Sequence, residues 1–241
     1  NPMRMRKKPN LVPRMERCAR VLLPTSPDEA EQRGHWRELL PGARELHLEL
    51  GCGKGRFTVE TAAQNPDVLF IAVERVPDAM VVAMERAVAL ELNNVFFLSD
   101  DVVRLPLYFA PEEVDRIYLN FCDPWPGNRH AKRRLTSRGF LQIYRQVLRM
   151  GGEIHFKTDN QDLFEWSLLQ FPDAGYALTQ VTRDLHAEGV CGIMTDYEEK
   201  FHNLGTPINR CVAILEPLRQ ETDPPSAPAV HSDFSTTLTD M

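Results

Sequence analysis

The cysteines at 18, 52, 122, 191 and 211 form no C-x-x-C pair, and their number is odd. A scattered, odd set excludes a disulfide framework and a zinc ribbon, and it implies reduced thiols in a cytoplasm; no metal site is expected. No apolar run approaches the length of a membrane span, and no signal-peptide pattern opens the chain. Internal repeats are missing as well. What is present is an ordinary globular balance, 43% hydrophobic and 26% charged over 241 residues. That length suits one domain with appendages.

The net charge of −6 is unevenly spread. Residues 1–20 hold seven Arg or Lys against Glu16, and residues 124–152 hold seven more with no acid at all. The rest of the chain therefore carries about −19, so positive charge is pooled in two places on an acidic body. Such pooling binds a polyanion locally despite the total. Residues 1–20 are too basic and too rich in Pro and Arg to join a core, and the boundary of this expected mobile arm is set at 1–25. A main domain follows over 26–216. Beyond Pro217 the chain is Pro, Ser, Thr and acid with little to bury, which predicts a disordered tail over 217–241.

A helix is expected over 28–40, stopped by Pro41-Gly42. The alternating stretch 44–50 then runs into Gly51-Cys52-Gly53-Lys54-Gly55 and a helical pattern from Arg56 to Gln64. Strand, glycine turn and helix open a nucleotide-binding α/β unit, because glycines let the backbone approach a ligand closely. The strand 68–73 ends in Glu74, about 20 residues past the first glycine, where a carboxylate can accept both hydroxyls of an adenosine ribose. The helix from Pro77 to about Leu92 puts Met80, Val81, Met84 and Val88 on one face, a stripe that is more often core than cofactor box. A third strand, 94–98, precedes Asp100-Asp101. Thr136 is expected to cap a helix running to Met150 and ended by Gly151-Gly152. Strands follow at 153–157, 176–184 and 209–216, with a helix at 161–170.

The most informative stretch is 115–134. An apolar run, Ile117 to Phe121, stops at Asp123-Pro124-Trp125-Pro126, where two prolines fix two φ angles and end any strand or helix. One carboxylate and one indole are thus left at the carboxyl end of a strand, ahead of Arg129, His130, Lys132, Arg133 and Arg134. Trp125 either packs this loop or stacks on a base, and packing ranks higher.

A dinucleotide fingerprint would need a third glycine at position 56, which is Arg56. The turn instead reads G-x-G-x-G with Glu49 just ahead of it, and an acid there would repel a pyrophosphate. Glu49, Glu74, Asp101 and Asp123 close successive strands. Four carboxylates on one sheet edge suit a cation such as S-adenosylmethionine, with its ammonium and sulfonium.

The runs LELGCGKG, YLNFCDPWP, RHAKRRLT, IHFKTDN and IMTDYEEKF closely resemble, in order and spacing, the tRNA (guanine-N7-)-methyltransferase family. The likeness spans about Met3 to Glu216, with MRMRKKP similar to the usual start and Asn1-Pro2 extra to it. It implies an α/β class I S-adenosylmethionine-dependent methyltransferase fold (Rossmann-like): seven mostly parallel strands, the last inserted antiparallel, with helices on both faces. It also implies methylation of N7 of the variable-loop guanosine at tRNA position 46. By resemblance, Glu49, Gly51, Gly53, Gly55, Glu74, Asp101 and Asp123 hold the cofactor, with Asp123 also catalytic at the guanine. Asp159, Thr195, Tyr197 and Glu198 would hold the nucleoside, and Arg129, His130, Lys132, Arg133 and Arg134 would meet the RNA. Thr195 and Glu198 also read as a capping box. Gly127 stands where relatives carry a substrate-contacting lysine. A monomer or a homodimer is expected, with no membrane partner. A non-catalytic tRNA-binding scaffold is the alternative function.

Overall fold

The computed structural model describes residues 7–25 and 31–218. Seven strands form one sheet: β1 Glu45–Leu50, β2 Val68–Val73, β3 Val95–Leu98, β4 Val114–Asn120, β5 Leu148–Thr158, β6 Tyr176–Thr182 and β7 Asn209–Leu215. Their order is β3-β2-β1-β4-β5-β7-β6. Neighbours from β3 to β5 pair in parallel, whereas β7 pairs antiparallel with both β5 and β6. The expected seven-stranded, mostly parallel sheet with an inserted antiparallel last strand is what the chain forms. The strand order reverses between β1 and β4, so the crevice beyond their carboxyl ends is the natural ligand position.

Two apolar clusters mark the two faces. On one, Leu46, Leu48 and Leu50 of β1 and Ile117 and Leu119 of β4 pack with residues of α4 (Leu105–Tyr108), α5 (Arg138–Arg145) and α6 (Gln161–Asp173). On the other, Phe70 and Ala72 of β2 and Phe97 of β3 meet α2 (Arg56–Gln64) and α3 (Pro77–Ala89). The methionine stripe is indeed core: Met80, Val81 and Met84 are fully buried.

Four expectations need correction. Residues 7–25 do not lie apart from the core. They form α1 (Leu11–Arg17) and a 3-10 turn, bury Cys18, Val21 and Leu23, and extend the sheet edge through a Leu22–Phe97 bridge. Arg14 is paired with Glu85 and Arg20 donates to the Leu92 carbonyl at 3.0 Å, so part of the expected basic arm is spent on packing. Residues 1–6 lie outside the described residues, as does the tail beyond 218. The helix expected over 28–40 is, within 31–40, only a 3-10 turn at Trp36–Leu39. Its anchor is a single buried indole, which donates to the Tyr108 carbonyl at 2.8 Å, rather than an apolar helical face. Thr136 does not cap α5; it is fully buried with its hydroxyl 2.7 Å from that of Ser167. Finally, α5 stops at Arg145 and β5 begins at Leu148, because Val147 and Leu148 are buried beside Val114. Gly152 lies inside β5, where an added Cβ would sit 2.7 Å from the Arg149 carbonyl and 3.1 Å from that of Asp115.

Candidate active site

The glycine turn leaves β1 at Gly51 and enters α2 at Gly55. Gly51, Gly53 and Gly55 all have φ between 55° and 78°, a region that favours glycine. Beside Gly51 and Gly53 there is open space, whereas a Cβ on Gly55 would lie 2.3 Å from the Ala83 Cβ and 2.8 Å from its Cα. The third glycine therefore serves the close approach of α2 to α3, and the first two leave room for a ligand.

Two cavities meet at this turn and share Gly51 and Phe121 as walls. The smaller, about 420 Å³, is lined by Glu49, Phe57, Asn120, Thr195 and Tyr197 together with the glycine turn. The larger, about 700 Å³, is lined by Glu74, Asp101, Asp123, Trp125, Lys132 and Arg133. All four strand-end acids are thus brought to one continuous rim.

Glu49 is the most perturbed of them. It is 4% exposed; Thr58 Oγ1 donates to its Oε1 at 3.0 Å, and its Oε2 has no partner. Burial pushes its carboxyl up to about 8, against a smaller pull from the Thr58 hydrogen bond and the Lys157 charge. A buried carboxyl with a free oxygen is a site waiting for a cation. Glu74 accepts Val76 N–H at 3.0 Å and Gly53 N–H at 3.1 Å, which ties the end of β2 to the glycine turn. Asp101 caps a short 3-10 turn by accepting Val103 N–H at 3.1 Å. Asp123 accepts Trp125 N–H at 3.2 Å and is otherwise exposed at the rim.

The loop after β4 is held from behind. Phe121 and Trp125 both adopt positive φ, 54° and 44°. Arg134 donates to the carbonyls of Pro124 at 3.0 Å and Trp125 at 3.1 Å, and its guanidinium stacks 4.5 Å from the Trp166 ring centroid. Arg134, expected at the RNA, is instead buried as the clamp of this loop. Arg129, Lys132 and Arg133 remain exposed and His130 half-buried. Arg133 lies over the Trp125 ring at 5.0 Å, which agrees with the packing role for that indole.

Across the smaller cavity, α7 (Asp196–Asn203) begins with the expected capping box: Thr195 Oγ1 accepts Glu198 N–H at 2.9 Å. Tyr197 is 51% exposed, with its ring 5.8 Å from Phe121. Burial raises its phenol, and the Asp159 charge raises it further. Burial also raises Asp159. Glu198, expected at the nucleoside, is fully buried and bonded to Lys157 and His186 instead. Sequence reasoning missed Asn120, Lys157, His186 and Phe57. Asn120 and Lys157 were visible as polar residues ending β4 and β5, but His186 carried no local signal.

A family model described as a putative methyltransferase matches residues 43–211. A curated tRNA (guanine-N(7)-)-methyltransferase of Geobacillus thermodenitrificans is 44% identical over 216 residues, covering 89% of this chain and 99% of its own. Another, from Streptococcus suis, is 47% identical over 190 residues, covering 78% and 89%. Among solved structures, the 16S rRNA methyltransferase KamB superposes with a TM-score of 0.61 at 19% identity, covering 76% of this chain and 94% of that one. A 16S rRNA (adenine(1408)-N(1))-methyltransferase from Catenulisporales acidiphilia, solved with its cosubstrate SAM, gives 0.56 at 15% identity, covering 84% and 95%. At such identities the structures bear on fold, and the fold is that of the class I S-adenosylmethionine-dependent methyltransferases.

Proposed function

From the premise that this chain belongs to the tRNA (guanine-N(7)-)-methyltransferase family, we propose that it transfers a methyl group from S-adenosylmethionine to N7 of guanosine 46 in the variable loop of tRNA, in the cytoplasm. The observation that carries this reading is the joined pair of cavities beneath four strand-end carboxylates, one of them the buried, half-unpaired Glu49.

The donor's chemistry fits these residues. Its ammonium suits the unpartnered Glu49 Oε2, and its ribose hydroxyls suit Glu74, whose oxygens keep lone pairs beyond their two backbone contacts. Asp101 and Val102 border the larger cavity where the adenine would lie, and the open glycine backbone at Gly51 and Gly53 flanks the chain between. When bound, the donor supplies an electrophilic methyl on a sulfonium.

Guanine N7 already presents a lone pair in the ring plane, so no base is required to activate it. The work left to the protein is alignment and exclusion of water. Phe121 and Tyr197, rings 5.8 Å apart, are the walls against which we place the purine. Positive charge develops on the purine as the methyl arrives, and a fixed carboxylate nearby stabilises it. Asp123, exposed at the rim and fixed by its Trp125 contact, is the group we assign to that role and to the guanine N1–H and N2–H edge. Arg129, Lys132 and Arg133, exposed just beyond, would meet the phosphates. We place Thr195, Tyr197 and Asp159 at the nucleoside.

Incubating the protein with methyl-labelled donor and an unmodified tRNA transcript, followed by nucleoside analysis, tests the proposal. Label is expected in 7-methylguanosine, and a transcript with adenosine at position 46 should take up none. Methylation that persists in that transcript would overturn the position, and tRNA binding without any label transfer would indicate a scaffold.

A further inference from the structure

Glu198 is completely buried; Lys157 and His186, which line neither cavity, each engage one of its carboxylate oxygens, and Oε1 also accepts the Thr195 N–H at 3.4 Å. We propose that Glu198 does not touch the nucleoside but forms, with Lys157 and His186, a buried charge-balanced anchor that holds Thr195 and Tyr197 at the cavity. Lys157 and His186 are then positioning residues for the methyl acceptor. The acceptor's identity rests on the proposed function; the anchor itself does not.

Three chain segments converge on one carboxylate. Lys157, at the end of β5, donates to Glu198 Oε1 at 2.6 Å and to the Ile193 carbonyl at 3.1 Å, and its ammonium lies 5.0 Å over the Phe57 ring. His186 Nε2 lies 2.6 Å from Glu198 Oε2. Its Nδ1 accepts Cys191 N–H at 2.9 Å, so the ring proton sits on Nε2 and is donated to the carboxylate. The imidazole is therefore neutral, and one ammonium balances one carboxylate. Glu198 in turn belongs to the first turn of α7, whose cap is Thr195 and whose second residue is Tyr197.

The other polar contacts at that turn lie nearer the surface. The stretch from Ala187 to Gly192 is exposed and has positive φ at Gly189 and Gly192. On the outer side, Asp196 and Glu199 pair with Arg86 and Arg56 at 3.2 and 2.8 Å, but these acids are about half exposed. Exposed pairs of that kind hold weakly, whereas a buried ion pair that loses one partner leaves an uncompensated charge. The buried anchor thus sets where Tyr197 stands relative to Phe121.

A direct contact and an anchor predict opposite outcomes for a double substitution. Lys157→Met and Glu198→Gln each strand one charge, and each should lower kcat/KM for tRNA at least 30-fold, with most of the loss in KM. The double variant strands none, and should recover to within about fivefold of wild type. His186→Gln keeps an acceptor and a donor and should stay within fivefold, while His186→Ala loses tenfold or more. A folded double variant as impaired as Glu198→Gln alone would mean that the carboxylate itself meets the substrate. If the double variant does not fold, equal losses in the two His186 variants would overturn the proposal. Amide hydrogen exchange over 193–203 reads the anchor without any activity. It should quicken more than tenfold in Lys157→Met relative to α3 in the same molecule, and unchanged protection would end the proposal even if the wild type proved to methylate something else.

Discussion

Replacing Glu49 by Gln removes the charge while keeping the shape and the Thr58 hydrogen bond. In the unliganded protein burial raises this carboxyl from 4.5 to about 8. Because the folded value lies above the unfolded one, the unfolded chain gives up its proton first. Stability is then lost as pH rises from about 4.5 to about 8, by at most about 1.4 kcal/mol per pH unit. At pH 7.5 the accumulated cost is about 4 kcal/mol, and at pH 5 less than about 1. Glu49→Gln should therefore be more stable than wild type at pH 7.5 by that amount, nearly equal at pH 5, and flatter in Tm between. The donor's ammonium requires the ionised carboxyl, so binding well below pH 8 must release about one proton. The Kd of wild type for S-adenosylhomocysteine should fall about 25-fold between pH 6 and 7.5, while the variant binds weakly at both. Thermal melts across pH, with calorimetric titrations in buffers of different ionisation enthalpy, measure both halves. A variant whose melting temperature tracks wild type across that range, or whose affinity keeps the wild-type pH dependence, would refute the assignment of Glu49.

Other consequences are more local. Asp123→Ala removes an exposed carboxylate with one backbone contact; turnover should fall at least 100-fold with the melting temperature within about 2 °C, and near-normal kcat would contradict its role. Arg134→Ala strips the loop after β4 of its clamp and should cost about 3 kcal/mol in chemical denaturation, because two carbonyls lose a charged donor. Arg129→Gln with Lys132→Gln and Arg133→Gln should leave stability within about 0.5 kcal/mol but flatten the salt dependence of tRNA binding by about two units of slope. Gly55→Ala forces a Cβ into Ala83 at a positive φ, and unfolding titrations should show a loss of at least about 2 kcal/mol.

Much of the rim was readable because each part of it is local. Alternating strand, glycine turn and helix placed Glu49; an apolar run ending in a carboxylate placed Glu74; two prolines placed Asp123 at a strand end. The start of α7 was equally legible, since a capping box spans only four residues. What escaped depends on partners distant in sequence. Arg134 read as one more charge in a basic run, but the carbonyls of Pro124 and Trp125 and the indole of Trp166 remove it from the surface. Glu198 looked like a ligand contact until Lys157 and His186 met it from other elements. The segment 7–25 looked too polar to pack, yet Val21 needs only the edge beside β3 to be fully buried. Thr136 had a helix-capping context and an unforeseen neighbour in Ser167.

A crystal structure of the protein with S-adenosylmethionine bears most directly on whether the two joined cavities are one donor-and-acceptor site. The donor's ammonium should lie within 3.2 Å of Glu49 and its ribose hydroxyls within reach of Glu74, with the methyl directed past Phe121 toward Asp123. A donor bound away from the glycine turn, or one whose methyl faces solvent on the side opposite Asp123, would contradict it.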